Sequence, residues 1–69
     1  MTQQSMQLED LVYTYTYRIG HFRLREIRNT STLILCFLEA IQLLRSRMTI
    51  AEALECAREA ADEYQDRYQ

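Results

Sequence analysis

Six apolar residues in succession, Leu33, Ile34, Leu35, Cys36, Phe37 and Leu38, lie inside the stretch STLILCFLEAIQLLRSR at residues 31–47. A short apolar run suits either a strand or a buried helix. The continuation into EAIQLLR, made of helix formers, favours helix. Thr30 or Ser31 supplies a side-chain oxygen for the first free backbone N–H groups. Arg45 and Arg47 suit the negative end of the helix dipole. Wound at 3.6 residues per turn, six consecutive apolar positions cover every face. A helix of that kind is normally buried on all sides.

A chain of 69 residues cannot easily meet that demand alone. A domain of this size buries only roughly 60% of its unfolded surface. Small scaffolds make up the deficit with disulfides, a metal or oligomerisation. The two cysteines, Cys36 and Cys56, form no CxxC and sit in apolar patterns, so they read as small buried hydrophobes. The start MTQQSMQLED has neither the basic nor the apolar region of a signal peptide. No apolar run reaches the length of a membrane span. The expectation is a single helical domain over residues 1–69, in a reducing cytoplasm, with a homodimer supplying the missing burial. Ile34, Phe37, Leu38, Ile41, Leu44 and Leu54 are the expected core and dimer positions.

Few residues here stop a helix, because there is no proline and the one glycine is Gly20. Leu8, Leu11 with Val12, Tyr15, Ile19 and Phe22 fall on one helical stripe, flanked by Tyr13, Tyr17, Leu24 and Ile27. The alternation VYTYTYR also fits a strand. Burial of the large residues favours a helix over about 6–27, with Gly20 either weakening it or admitting a close neighbour. Asn29 then ends that helix in the left-handed conformation. So short a connection makes the first two helices an antiparallel hairpin. Thr49-Ile50-Ala51-Glu52 fits a capping box, with Met48 placed to pack on Ala53 as a staple. The third helix carries Ile50, Leu54, Ala57, Ala61, Tyr64 and Tyr68 at heptad spacing. The expected fold is all-α: a helical hairpin plus a third helix, paired into an intertwined dimeric bundle. Without glycine or proline at 47–49, a single bent helix in place of helices two and three is the alternative.

Charge is unevenly spread. Residues 18–47 hold six arginines against Glu26 and Glu39, while residues 50–69 hold six acids against Arg58 and Arg67. All eight basic residues are arginine. That pattern fits a GC-rich coding bias, and it also fits interface use, where a planar, weakly hydrated cation makes bidentate contacts. Catalysis lacks an inventory: His21 is the one histidine and has no evident partner. Cys36, Cys56 and His21 show none of the short spacings of a zinc site. No glycine-rich phosphate loop is present. The sequence implies no enzyme and no cofactor.

Two binding readings remain. If FRLREI at 22–27 were a strand followed by two helices, the order would match the ribbon–helix–helix DNA-binding repressors, whose TIAEALECAREA-like second helix is similar in composition. The long second helix, the missing inter-helix glycine and the acidic balance weigh against it. A protein-binding module is the favoured reading. Tyr13, Tyr17, His21, Arg25 and Arg28 recur at helical spacing, Arg18 lies beside them, and tyrosine and arginine are enriched at binding hot spots.

The lysine-free, almost loop-free helical chain over 8–27, 31–47 and 49–68 resembles small host-takeover proteins of temperate phages. It is similar in length and character to the quorum-sensing anti-activators of pseudomonad phages. The resemblance implies inhibition of a host transcriptional regulator by binding, with a pilus-assembly ATPase as a second kind of target. It spans the chain through character rather than a motif, so it assigns no functional residue.

Overall fold

The structure is a computed structural model and describes residues 7–69. Expectations for residues 1–6, including the first residue of the helix expected over about 6–27, lie outside the described residues. The described chain is all-helical. It consists of α1 (Leu8–Tyr13), continued by a π-helical segment at Thr14–Arg18, a 3-10 turn at Leu24–Glu26, then α2 (Thr30–Leu44) and α3 (Ile50–Tyr68). No strand occurs among the described residues. Residues 22–27, which the ribbon reading requires as a strand, hold the 3-10 turn instead.

The first helix is much shorter than 6–27. At its end the Ile19 N–H donates to the Thr14 carbonyl and the His21 N–H to the Tyr15 carbonyl, so the hydrogen bonds lengthen beyond the α-helical step. The chain then breaks at Gly20, whose φ of +93° only glycine adopts without strain. A Cβ there would meet nothing within 4 Å, so close helix approach is not the reason for this glycine. Asn29 does not end a helix in the left-handed conformation. It sits in extended backbone, and its side chain accepts from the Thr32 N–H at 3.0 Å, so it caps α2 in place of Thr30 or Ser31.

α2 stops at Leu44, three residues before Arg47. Arg45 turns out of the helix, and a turn leads to Thr49. There the capping box forms as the sequence proposes. Thr49 Oγ1 accepts from the Glu52 N–H at 3.1 Å, and Glu52 Oε1 accepts from the Thr49 N–H at 3.0 Å. Helices two and three are therefore separate, and Met48 packs against the core beside the cap.

The core lies between α2 and α3, and α1 covers one side of that hairpin. Leu33, Phe37, Ala40 and Ile41 meet Ala53, Ala57, Ala60, Ala61 and Tyr64, with the Phe37 and Tyr64 rings 5.8 Å apart. The buried stripe of α3 runs through Ala53, Ala57, Ala60, Ala61 and Tyr64, so Ala57, Ala61 and Tyr64 of the expected stripe are buried. Ile50 and Tyr68 are exposed, and Leu54 is half-buried. Alanines let the helix backbones approach closely, which makes room for Phe37. Of the expected core positions, Phe37 and Ile41 are fully buried in one chain. Ile34, Leu38 and Leu44 are half-buried against the core. From α1 come Leu8 and Leu11 and from the π-helical segment Tyr15, joined by Leu24 of the 3-10 turn. Phe22, expected on the same buried stripe, is exposed because the helix ends before reaching it.

Arg67 ties α1 to α3, donating to Glu9 at 2.8 Å and to Glu63 at 2.6 Å. Its hydrogen bond holds the Glu9 carboxyl below the usual carboxylate range. A depressed folded-state pKa stabilises the fold at neutral pH, and the contribution is lost as pH falls through that lowered value. Arg67→Gln therefore lowers the melting temperature more at pH 7 than at pH 3, as read by circular dichroism. Asn29→Ala and Thr49→Ala each cost about 0.5–2 kcal/mol in denaturant unfolding. Ser31→Ala, at a position that caps nothing, costs measurably less. Gly20→Ala destabilises by about 1–2 kcal/mol through the positive φ.

Candidate functional site

Burial in this fold leaves one continuous aromatic surface outside the core. Tyr13 lies on the last turn of α1, Tyr17 in the π-helical segment, and Phe22 in the connection after Gly20. Their exposures are 59%, 66% and 73%. Tyr13 and Tyr17 sit one turn apart, with ring centroids at 4.9 Å. The Gly20 break turns the chain back so that Phe22 meets Tyr17 edge-on at 6.3 Å. Three large rings thus touch one another while facing water, an arrangement more typical of a contact surface than of a settled monomer surface. Rings pack in this tilted and edge-on manner because of their quadrupoles, so the cluster is partly pre-ordered.

The other expected contact residues are placed differently. Arg18 is exposed at the end of the π-helical segment, beside Tyr17 in the chain. His21 is exposed but stacks on Tyr15, with ring centroids at 4.7 Å and planes 22° apart. Arg25 and Arg28 do not continue the Tyr13–Tyr17 stripe, because the helix that would have carried them ends near residue 18. They lie in the chain around the 3-10 turn, with Arg28 Nη1 donating to the Arg25 carbonyl at 3.0 Å. Gln69 Nε2 donates to the Arg25 and Ile27 carbonyls, at 3.2 and 2.6 Å, holding this connection to the end of α3. Burial raises the pKa of Tyr64, and the nearby positive charges of Arg25 and Arg28 oppose that rise. The structure therefore brings Tyr13 and Tyr17 together with Phe22, and sets Arg25 and Arg28 toward the end of α3.

No known protein family, curated protein or solved structure matches the chain. The site is therefore read from its own chemistry. Phe22 is the exposed ring that periodicity misses, since it falls on the apparent core stripe. The local signal was Gly20, two residues before it, as a helix terminator. Arg23 lies next to Phe22 and pairs with Glu26, with Nε and Nη2 each 3.0 Å from Oε1. This pair is exposed on both sides, so it orients the side chains more than it stabilises the fold.

Catalytic and metal-binding chemistry finds little to build on. Among the described residues, no three potential metal ligands of the His, Cys, Asp and Glu types come together. Burial raises the Tyr15 phenol above its usual pKa, and a hydrogen bond with Cys36 adds to the shift. Cys36 is buried, while Cys56 is partly exposed on α3. Burial pushes the Cys56 thiol up, and Glu59, Glu55 and Glu52 reinforce the shift because a thiolate among carboxylates is unfavourable. A thiol held protonated is a poor nucleophile. Cys56 is accordingly alkylated by iodoacetamide at pH 8 several-fold more slowly than free cysteine, a rate readable by mass spectrometry. Equal or faster alkylation would mean that the thiol is activated.

Proposed function

We propose that this chain is a non-enzymatic protein-binding module that works by occluding a functional surface of its partner. The observation that carries the reading is the exposed Tyr13–Tyr17–Phe22 cluster. Its three rings offer large apolar area and lose little side-chain entropy on binding. Arg18 and Arg23 flank the cluster with cations able to make charge-assisted contacts. Such a surface acts by stoichiometric binding rather than by turnover. The partner is a host or cellular protein. The likeness in length and character to phage anti-activators points to a transcriptional regulator, inhibited in the cytoplasm. No helix among the described residues is long and apolar enough to cross a membrane. The module acts as a homodimer, an intertwined helical bundle that presents the aromatic cluster twice and so gains apparent affinity by avidity.

The DNA-binding alternative gains no support from residues 22–27, which hold a 3-10 turn at Leu24–Glu26 and no strand. An affinity pull-down from lysate, run with and without nuclease and with wild type beside Tyr17→Ala and Phe22→Ala, tests the proposal. The expected result is a specific protein retained by wild type despite nuclease. Each alanine variant weakens its binding by more than about 1 kcal/mol while the melting temperature stays unchanged. Recovery of nucleic acid alone, or equal capture by the variants, overturns it.

A further inference from the structure

The segment that carries the exposed rings is also the most positively charged part of the chain. Residues 14–29 hold Arg18, Arg23, Arg25 and Arg28 against one carboxylate, Glu26, whereas the remaining described residues hold nine acids against four arginines. All four arginines of this segment are exposed. Arg23 pairs with Glu26, and among the described residues the other three have no carboxylate partner. Arg18 follows Tyr17 in the chain and Arg23 follows Phe22, so a cation adjoins each of two rings. The Arg23–Glu26 pair shows what such a fork accepts: Nε and Nη2 each lie 3.0 Å from Glu26 Oε1. The two side chains are 84% and 65% exposed, so the pair is weak and its carboxylate is exchangeable.

We propose that the aromatic cluster docks an acidic segment of the partner protein, which sets a large apolar side chain on the rings and carboxylates on Arg18 and Arg23, displacing Glu26 from Arg23. The inference rests on the protein-binding reading given above and deepens it by naming the partner's chemistry. Charge complementarity selects the sign. Glu52, Glu55, Glu59, Asp62 and Asp66 stand exposed on α3 and repel an acidic partner, while residues 14–29 attract it. The field of the molecule therefore sets where and in which orientation such a partner lands. Arg25 and Arg28 extend the positive strip toward the end of α3, close enough for their charges to act on Tyr64. Ring geometry selects protein over nucleic acid. The Tyr13 and Tyr17 planes are tilted by 42°, and Phe22 meets Tyr17 at 84°. The rings form one apolar ridge with no parallel pair to sandwich a base, whereas single-strand sites offer ring faces to successive bases. Guanidinium forks beside such a ridge suit the two-point geometry of carboxylates.

The test is a titration of the full chain with short synthetic peptides, followed by aromatic and backbone NMR shifts. One peptide carries Leu and Phe among Asp and Glu. A second has Lys at every acidic position, and a third keeps the acids but has Ser in place of Leu and Phe. Single-stranded oligothymidylate is the fourth probe. The acidic apolar peptide shifts the Tyr17 and Phe22 ring signals and binds about tenfold or more tightly than either of the other peptides. Its affinity falls about tenfold in Arg18→Gln/Arg23→Gln, and it falls as salt is raised. Glu26→Gln strengthens binding about twofold or more, because the competing carboxylate is gone. A gain of affinity is a readout that loss of folding does not produce. Arg58→Gln, on α3, leaves the affinity unchanged. Equal or tighter binding of the Lys peptide, or unmoved ring signals with the acidic one, overturns the acidic docking and leaves the protein-binding reading to its pull-down. Unchanged affinity in Glu26→Gln overturns the displacement of Glu26. Tight oligothymidylate binding on the same rings overturns both the docking and the protein-binding reading.

Discussion

The close packing of α2 on α3 is the contact on which the rest of this small protein depends. Phe37, Leu33 and Ile41 supply the volume, and Ala53, Ala57, Ala60 and Ala61 supply the room. Large against small is an efficient way to fill a two-helix interface, since a bulky ring seated over alanines leaves little void. Tyr64 closes the end of the stripe against Phe37. The groove that receives Leu8, Leu11 and Tyr15 is made from both helices, so the first helix depends on this hairpin for its burial.

Where the first helix stops explains the exposed aromatics. α1 is short, and the π-helical segment that continues it ends at Arg18. Beyond Arg18 the chain does not continue over the hairpin as a helix. Gly20 reverses its direction, and the 3-10 turn returns one apolar side chain, Leu24, to the core. Phe22 is left outside, against Tyr17. The surface that carries the functional proposal is thus a by-product of where one helix stops, and a wide π-helical turn at the end of a helix is a recurrent accompaniment of functional sites.

The two apolar surfaces differ in kind. The tyrosine–phenylalanine cluster is aromatic, partly wet and flanked by arginine, a composition suited to a separate partner. The Ile34–Leu38–Leu54 face is aliphatic, and each of its side chains is half-buried.

Local chemistry was legible in the sequence. The capping box at Thr49 and Glu52 depends on two side chains and two amides three residues apart, so its pattern and its structure are nearly the same statement. The helical identity of 33–44 followed equally from helix-forming residues, and the burial of Phe37 and Ile41 from their place within it. Tertiary structure decided what periodicity left open. Asn29 rather than Ser31 caps α2, because both types can cap and the path of the incoming chain selects one. Helix one ends near residue 18, because Gly20 satisfies a helix interior weakly and a left-handed break without strain, and docking on the hairpin chose the break. That break alone put Phe22 outside and separated Arg25 and Arg28 from the tyrosines. Caps and helix formers act within a few residues of themselves, so sequence determines them. Which face is covered is a property of neighbours distant in the chain, and only their packing settles it.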